Sequence, residues 1–390
     1  MNRSSPILPQ FFLCGIIRLF CGPIVRTAAL VILVLCLSGC YLVRQGRYLI
    51  RHQTSAVRID HIMADTALSQ DRREFLSEVE SIRRYAFDSL GLVRNSNYSR
   101  LVNVDSSYLL AMLSAADSAS FTVKKWCYPF LGCFPLRSYF DINDALRAAR
   151  RLAAKGYEIN IDKVSGYSTL GIFRDPVYSF MSDYPVYSLA NYIFHEQTHA
   201  TVYFSNVQFS EELATFIGSE GALRYLRMRF GADSPEYLEA LRLIKDEKSY
   251  LTLLRGLISE LERVYDQPIS RSEKIRLKKE TILGFKRRVV NGYDSLFSTE
   301  SFRGIEKCSF NNAFLAVRRT YNQDLELFER LSECYGGDLR RVVEYAVSLK
   351  RRRGDPKELL RKEIMEHQAA VEVKKNIACG CDIRAIRDMY

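Results

Sequence analysis

Two of the chain's five histidines, His195 and His199, stand four apart around Glu196 in the stretch NYIFHEQTHATVYFSNVQFSEELATF, Asn191 to Phe216. At this composition such a string arises by chance in roughly one chain in a few hundred. Residues four apart on a helix leave from the same face. The spacing therefore predicts a helix, from Leu189 to about Phe204, that offers two imidazole nitrogens to one ion. Glu196 is rotated by about 100° from His195, which suits a proton acceptor beside the ion rather than a ligand to it.

Catalytic zinc usually takes three protein ligands and keeps one position for water. No further histidine is within reach in sequence, which leaves Glu211, Glu212 and Glu220 as acidic candidates. A second helix is predicted from Ser210 to Phe230, with Ser210 as its N-cap and Glu211 and Glu212 in its first turn. Helical rotation favours Glu211, because Glu211, Thr215, Gly218 and Ala222 share one face whose small residues let it lie close to the histidine helix.

The N-terminus reads as an export signal. Arg18 and Arg26 precede an apolar run from Ala28 to Leu37, and Leu37-Ser38-Gly39-Cys40 follows. A small-residue pair before cysteine is what bacterial lipoprotein signals look like, so residues 1–39 are expected to be removed and Cys40 to carry lipid. The body is then held at a membrane of the cell envelope, and Tyr41 after the cysteine suits an outer membrane. The formal charge of +11 falls to +8 when Arg3, Arg18 and Arg26 leave with the signal. Such a surface suits anionic lipid or an acidic envelope polymer. It does not suit nucleic acid, because the basic clusters lack an interleaved aromatic stacking pattern. Export also permits disulfides, and Cys127 and Cys133, six apart across Pro129 and Gly132, are the expected local pair. Cys308, Cys334, Cys379 and Cys381 allow three connectivities.

Along the chain, Gly46 to about Leu92 reads as one long amphipathic helix with a stripe of Phe75, Val79, Ile82 and Phe87. A mixed stretch runs from Asn97 to Ser120. Next come a capped helix closed by Gly156 and a short strand. Gly166 to Val177 suggests another strand, and beyond Glu236 the chain reads as helices rich in Lys, Arg, Glu and Leu.

Three segments together, FHEQTHATVYFSNVQFSEELATFIGSEGA, KKWCYPFLGCFPLRSYF and GYSTLGIFRDPV, resemble a bacterial family of predicted aminopeptidases, zinc lipoproteins within the broad His-Glu-x-x-His metallopeptidases. The resemblance covers about Cys40 to Leu360. The family's second motif, Phe-Asn-Glu-Ser-Phe-Ala-Thr, falls on Phe209 to Thr215 and also selects Glu211 as third ligand. Ser210 stands where the family has Asn. FNNAFLAVRRTY, Phe310 to Tyr321, is similar to a further family segment, and its Tyr321 is the candidate donor to an oxyanion. Tyr167 is a second candidate. The strand that carries it, with Thr169 and Gly171, is expected to run along a bound peptide and pair with its backbone.

These readings give an α+β, zincin-like fold: a small sheet, two packed metal helices and a mostly helical C-terminal half. The expected segments are 1–39, 40–97, 98–235 and 236–390. The expected activity is hydrolysis of peptide bonds, with Zn2+ held by His195, His199 and Glu211 and with Glu196 moving the proton. The resemblance implies trimming of amino termini, for which Glu212 or Glu220 would hold the substrate ammonium. The rival reading is a non-catalytic envelope lipoprotein whose metal is a folding clamp or a relic. Nothing in the sequence assigns an oligomeric state.

Overall fold

The computed structural model describes residues 39–128, 132–166, 174–320 and 325–378. The fold is α+β. Helices α1 (Gly39–Ser55), α2 (Ile59–Met63) and α3 (Gln70–Asp88) occupy the stretch expected to be one long helix, and the short strand β1 (Val57–Arg58) separates the first two. The buried stripe of α3 is Leu76, Val79, Ile82 and Ala86, with Phe75 and Phe87 only half-buried beside it. The correction lies at the two ends of the stripe, where Leu76 replaces Phe75 and Ala86 replaces Phe87 as the buried residue, while Val79 and Ile82 are buried as expected.

Two strands, β2 (Arg100–Val102) and β3 (Leu110–Ala116), lie where the sequence shows only a mixed stretch. The hairpin β4 (Trp126–Tyr128) and β5 (Gly132–Phe134) follows, then β6 (Leu136–Tyr139), α4 (Ile142–Ala153) and β7 (Glu158–Val164). Between α4 and β7 the chain turns at Gly156 with φ +84°, a left-handed conformation that favours glycine. The next strand is β8 (Val177–Tyr178). β3 lies at the centre of an antiparallel sheet in the order β6-β3-β7. One face carries Ala111 and Leu113 against Ala145, Ala148 and Ala149 of α4. With both faces covered, β3 is an apolar run without alternation, which hides it from periodicity.

Next come α5 (Val186–Thr201), α6 (Val207–Phe230), α7 (Pro235–Tyr265), α8 (Arg271–Asn291), the short α9 (Tyr293–Leu296), α10 (Asn312–Thr320), α11 (Glu326–Cys334), α12 (Leu339–Leu349) and α13 (Pro356–Ala378). Helix α10 covers the other face of the sheet through its Asn311-Asn312 start. Asn312 is fully buried. Its backbone N–H donates to Glu158 (2.8 Å), its amide to the carbonyls of Asp117 and Ser120 (both 2.9 Å), and its Oδ1 accepts from the Tyr265 hydroxyl (2.7 Å). Every polar group of this asparagine is thus satisfied, and the segment that resembles the family's Asn-Asn-Ala is a structural bolt between helix and sheet.

The largest core draws on the N-terminal, central and C-terminal parts alike, from Ile59 through Phe194 and Leu213 to Ile364. A second core joins α7, α8 and α10 around Leu257, Phe285 and Phe310. β2 pairs in parallel with β8 just ahead of α5, which ties the entry of that helix to the main core. Among the described residues no helix is long and apolar enough to cross a membrane.

Candidate metal centre

Helices α5 and α6 form a tight hairpin, and the sequence of α6 explains how close it is. A Cβ on Gly218 would stand 3.2 Å from the His195 Cβ, and one on Gly221 would stand 3.0 Å from the Phe194 ring. Helix α6 starts one turn earlier than expected. Its N-cap is Asn206, whose side chain accepts from the Phe209 N–H at 3.1 Å. Ser210 lies inside the helix, buried, and its hydroxyl binds the backbone of Phe204 (2.8 Å from the N–H, 3.2 Å to the carbonyl). The reading of Ser210 as N-cap fails because Asn206, an equally good capping side chain, stands four residues upstream, and the Ser210 hydroxyl is taken up by the Phe204 backbone. Glu211 and Glu212 therefore sit in the second turn, where Glu211 faces the histidines.

The Nε2 atoms of His195 and His199 stand 3.2 Å apart. Glu211 places one carboxylate oxygen 3.6 Å from the first and the other 3.4 Å from the second. Ligand atoms about 2.0–2.1 Å from a tetrahedral ion lie about 3.3–3.4 Å from one another. The histidine pair lies close to that edge length and each ring has a different oxygen of Glu211 at 3.4–3.6 Å, so the three side chains form a group that could hold a divalent ion. It is the one such cluster of His, Cys, Asp or Glu among the described residues. His199 is buried, and its Nδ1 meets no acceptor among those residues. Its ring is held by packing, with Tyr203 at 5.7 Å between centroids.

Two carboxylates here are pushed in opposite directions. Burial would raise the pKa of Glu211, but the adjacent His195 and His199 rings outweigh it and hold the group at about 2. Glu196 is raised, chiefly by burial against the pull of the same histidines, with Glu211 and Asp175 adding repulsion. Groups driven apart in this way divide the roles of charged ligand and proton carrier.

Residues the sequence did not mark surround Glu196. Tyr98 is buried with its hydroxyl unpartnered. It has φ +58°, rare for an aromatic residue, and stacks edge-on against Tyr192 at 6.0 Å. Its neighbour Asn97 accepts from the Asp175 N–H at 3.2 Å and reaches Gln197 of α5 at 3.4 Å. The only sequence signal was the turn-forming Asn-Ser-Asn before Tyr98.

Glu212 is fully buried and paired with Lys357 at the start of α13, 2.7 Å away, and with Gln208 at 2.9 Å. It ties the C-terminal helix to α6 and is not presented to a substrate ammonium. Glu220 lies half-buried on the same helix. Cys127 and Cys133 face each other across β4 and β5 and are joined by a disulfide. Cys308 and Cys334 are free thiols. Cys40 is the second residue of α1. The strand expected at Tyr167, Thr169 and Gly171, the donor Tyr321, residues 1–38 and the pair Cys379 and Cys381 lie outside the described residues.

The sequence profile of a family described as "Putative aminopeptidase" matches residues 40–360. The chain belongs to that family. The match spans α5 and α6, the sheet and the bolt at Asn312, so the aminopeptidase family's profile covers the elements that position His195, His199 and Glu211. No curated protein and no solved structure shows a match.

Proposed function

We propose that this member of the aminopeptidase family is a zinc-dependent peptidase with a zincin-like core, acting at the cell envelope and anchored by lipid on Cys40. The observation that supports it most is the convergence of His195, His199 and Glu211, whose nearest nitrogen and oxygen atoms stand 3.2–3.6 Å apart, with Glu196 beside them. Donors of two nitrogens and one oxygen, with an open fourth corner, are a catalytic rather than a closed structural set. When bound there, Zn2+ supplies Lewis acidity, polarising a peptide carbonyl and bringing the pKa of water towards about 7.

The protein's own part follows from the side chains. His195 and His199 come from one rigid helix and Glu211 from its partner, so the close packing at Gly218 sets the ligand geometry. Glu196, on the same helix as the histidines, takes the proton of the attacking water and passes it to the leaving amine. Its raised pKa makes it a stronger base for the first transfer and lets it hold the proton until the amine leaves. With Glu212 committed to Lys357, that carboxylate is not free to hold a substrate's ammonium.

The test compares wild type with Glu196→Gln for metal content and for cleavage of a peptide library. The proposal expects equal zinc and a loss of cleavage of about 100-fold or more, the range for a proton-transfer group. Equal cleavage by both proteins refutes the peptidase assignment. Zinc held by two inactive proteins supports a structural metal instead.

A further inference from the structure

Helix α1 has two unlike faces. Inward, the Tyr41 hydroxyl donates to the Ser138 carbonyl at 2.7 Å, Gln45 accepts from the Phe140 N–H at 3.1 Å, and Tyr48 and His52 pack on the Phe140 ring. The helix is therefore fixed to β6 rather than trailing from the body. Outward, Val43 and Ile50 are 64% and 62% exposed, and Arg44, Arg47 and Arg51 share that side at intervals of three and four residues.

Two adjoining depressions meet at Arg44. One, of about 280 Å3, is lined by Arg44, Arg137, Arg147 and Arg151 around Asp144. The other, of about 290 Å3, is lined by Arg44, Arg47 and Arg51 beside Asp141. Six arginines against two aspartates leave a surplus of four positive charges. Asp144 is occupied by Arg44 and Arg147, and Asp141 caps α4. No carboxylate among the described residues pairs with Arg47, Arg51, Arg137 or Arg151. Arg137 is the most confined of these: its guanidinium lies 3.9 Å over the Tyr41 ring, while its Nε is buried without an acceptor. It is a donor, already fixed in place, that lacks its anion.

We propose that the outward face of α1, with the two arginine-lined depressions, is a membrane-contact surface that binds the phosphate groups of anionic phospholipids. Two further features select the membrane over a soluble anion. The apolar run Ala28–Leu37 ends two residues before α1 begins, and at 1.5 Å per residue Arg44 lies only about 8 Å along the helix from Gly39. That distance is close to the thickness of the headgroup layer, about 5–7.5 Å on each side, of a bilayer that holds the preceding segment or a lipid on Cys40. Exposed aliphatics between arginines are the pattern of a helix lying in the interface, with the chains of Val43 and Ile50 facing acyl groups and the guanidinium groups facing phosphates. The inference rests on the membrane-anchor part of the proposed function and not on its peptidase part.

The test uses the full chain in nonionic detergent, titrated separately with phosphatidylglycerol, phosphatidylcholine and inorganic phosphate. Retained ligand is counted by non-denaturing mass spectrometry, and its position is read from hydrogen-exchange protection over residues 43–51. Phosphatidylglycerol is expected to bind and protect that segment where phosphatidylcholine at the same mole fraction does not. Arg47→Gln/Arg51→Gln, at exposed and unpaired positions, should weaken binding by about 25-fold, about 5-fold for each charge near a lipid surface. Lys279→Gln/Arg287→Gln on α8 should leave it unchanged. Equal binding of the two lipids, an unaffected arginine variant, or equal saturation by inorganic phosphate would each overturn the assignment.

Discussion

Gly218 approaches Asn191 so closely that a Cβ on the glycine would stand 2.4 Å from the Asn191 Oδ1 and 3.0 Å from its carbonyl oxygen. The amide can rotate away, but the carbonyl belongs to helix α5 and cannot move without moving His195. Gly218→Ala is therefore expected to force the two helices apart, at the 1–3 kcal/mol typical of overpacking, about that much off the unfolding free energy in urea. Metal affinity should fall with it, because Glu211 rides on the displaced helix. A variant that keeps full stability and full affinity would show that the spacing is not set here.

Glu211→Gln keeps the shape of the third ligand and removes its charge. Metal affinity, measured by competition with a chelator, should drop by at least the roughly 10–100-fold that even outer partners of metal ligands contribute. Thermal stability of the metal-free protein at neutral pH should fall, since the two rings favour the ionised carboxylate that the variant removes.

Lys357→Met removes the partner of a fully buried carboxylate, Glu212. Breaking such a pair from one side costs about 3–5 kcal/mol, whereas replacing both members with apolar groups of similar volume is often neutral. The Glu212→Leu/Lys357→Met double variant should therefore be more stable than Lys357→Met alone, read from denaturant midpoints. The reverse order would mean that the pair does not join α13 to α6 energetically.

Asp246 is fully buried and accepts from the backbone N–H groups of Ser298 and Thr299, both at 2.7 Å. Burial would raise its pKa, but these hydrogen bonds outweigh it and hold it below the ordinary value. A depressed carboxylate contributes stability above its unfolded pKa, about 3.9. That contribution is lost as pH falls through the lower native value. Asp246→Asn should lose about 1.5–3 kcal/mol at neutral pH, the worth of bonds to a charged acceptor. The gap to wild type, followed by thermal unfolding, should close below about pH 4.

The two helices of the candidate site were legible because His195 and His199 lie on one helix at a fixed spacing, and because Gly218 and Ala222 on the other mark a face that tolerates close approach. The extent of α6 was less so. Phe209, Leu213, Phe216, Ile217 and Leu226 are buried around most of its circumference, which leaves little periodicity to read. β3 was missed for the same reason. Glu212 read as a first-turn helix acid because its partner, Lys357, lies 145 residues away, and no local pattern reports a long-range ion pair. Tyr98 was invisible because its distinguishing features, a positive φ and an unpartnered hydroxyl, exist only in three dimensions.

X-ray absorption at the zinc edge of the zinc-loaded protein tests the central claim most directly. The account predicts nitrogen and oxygen neighbours only, at about 2.0–2.1 Å, with scattering from two imidazoles that falls to one in His199→Gln. A sulfur neighbour at about 2.3 Å, or two imidazoles persisting in that variant, would contradict it.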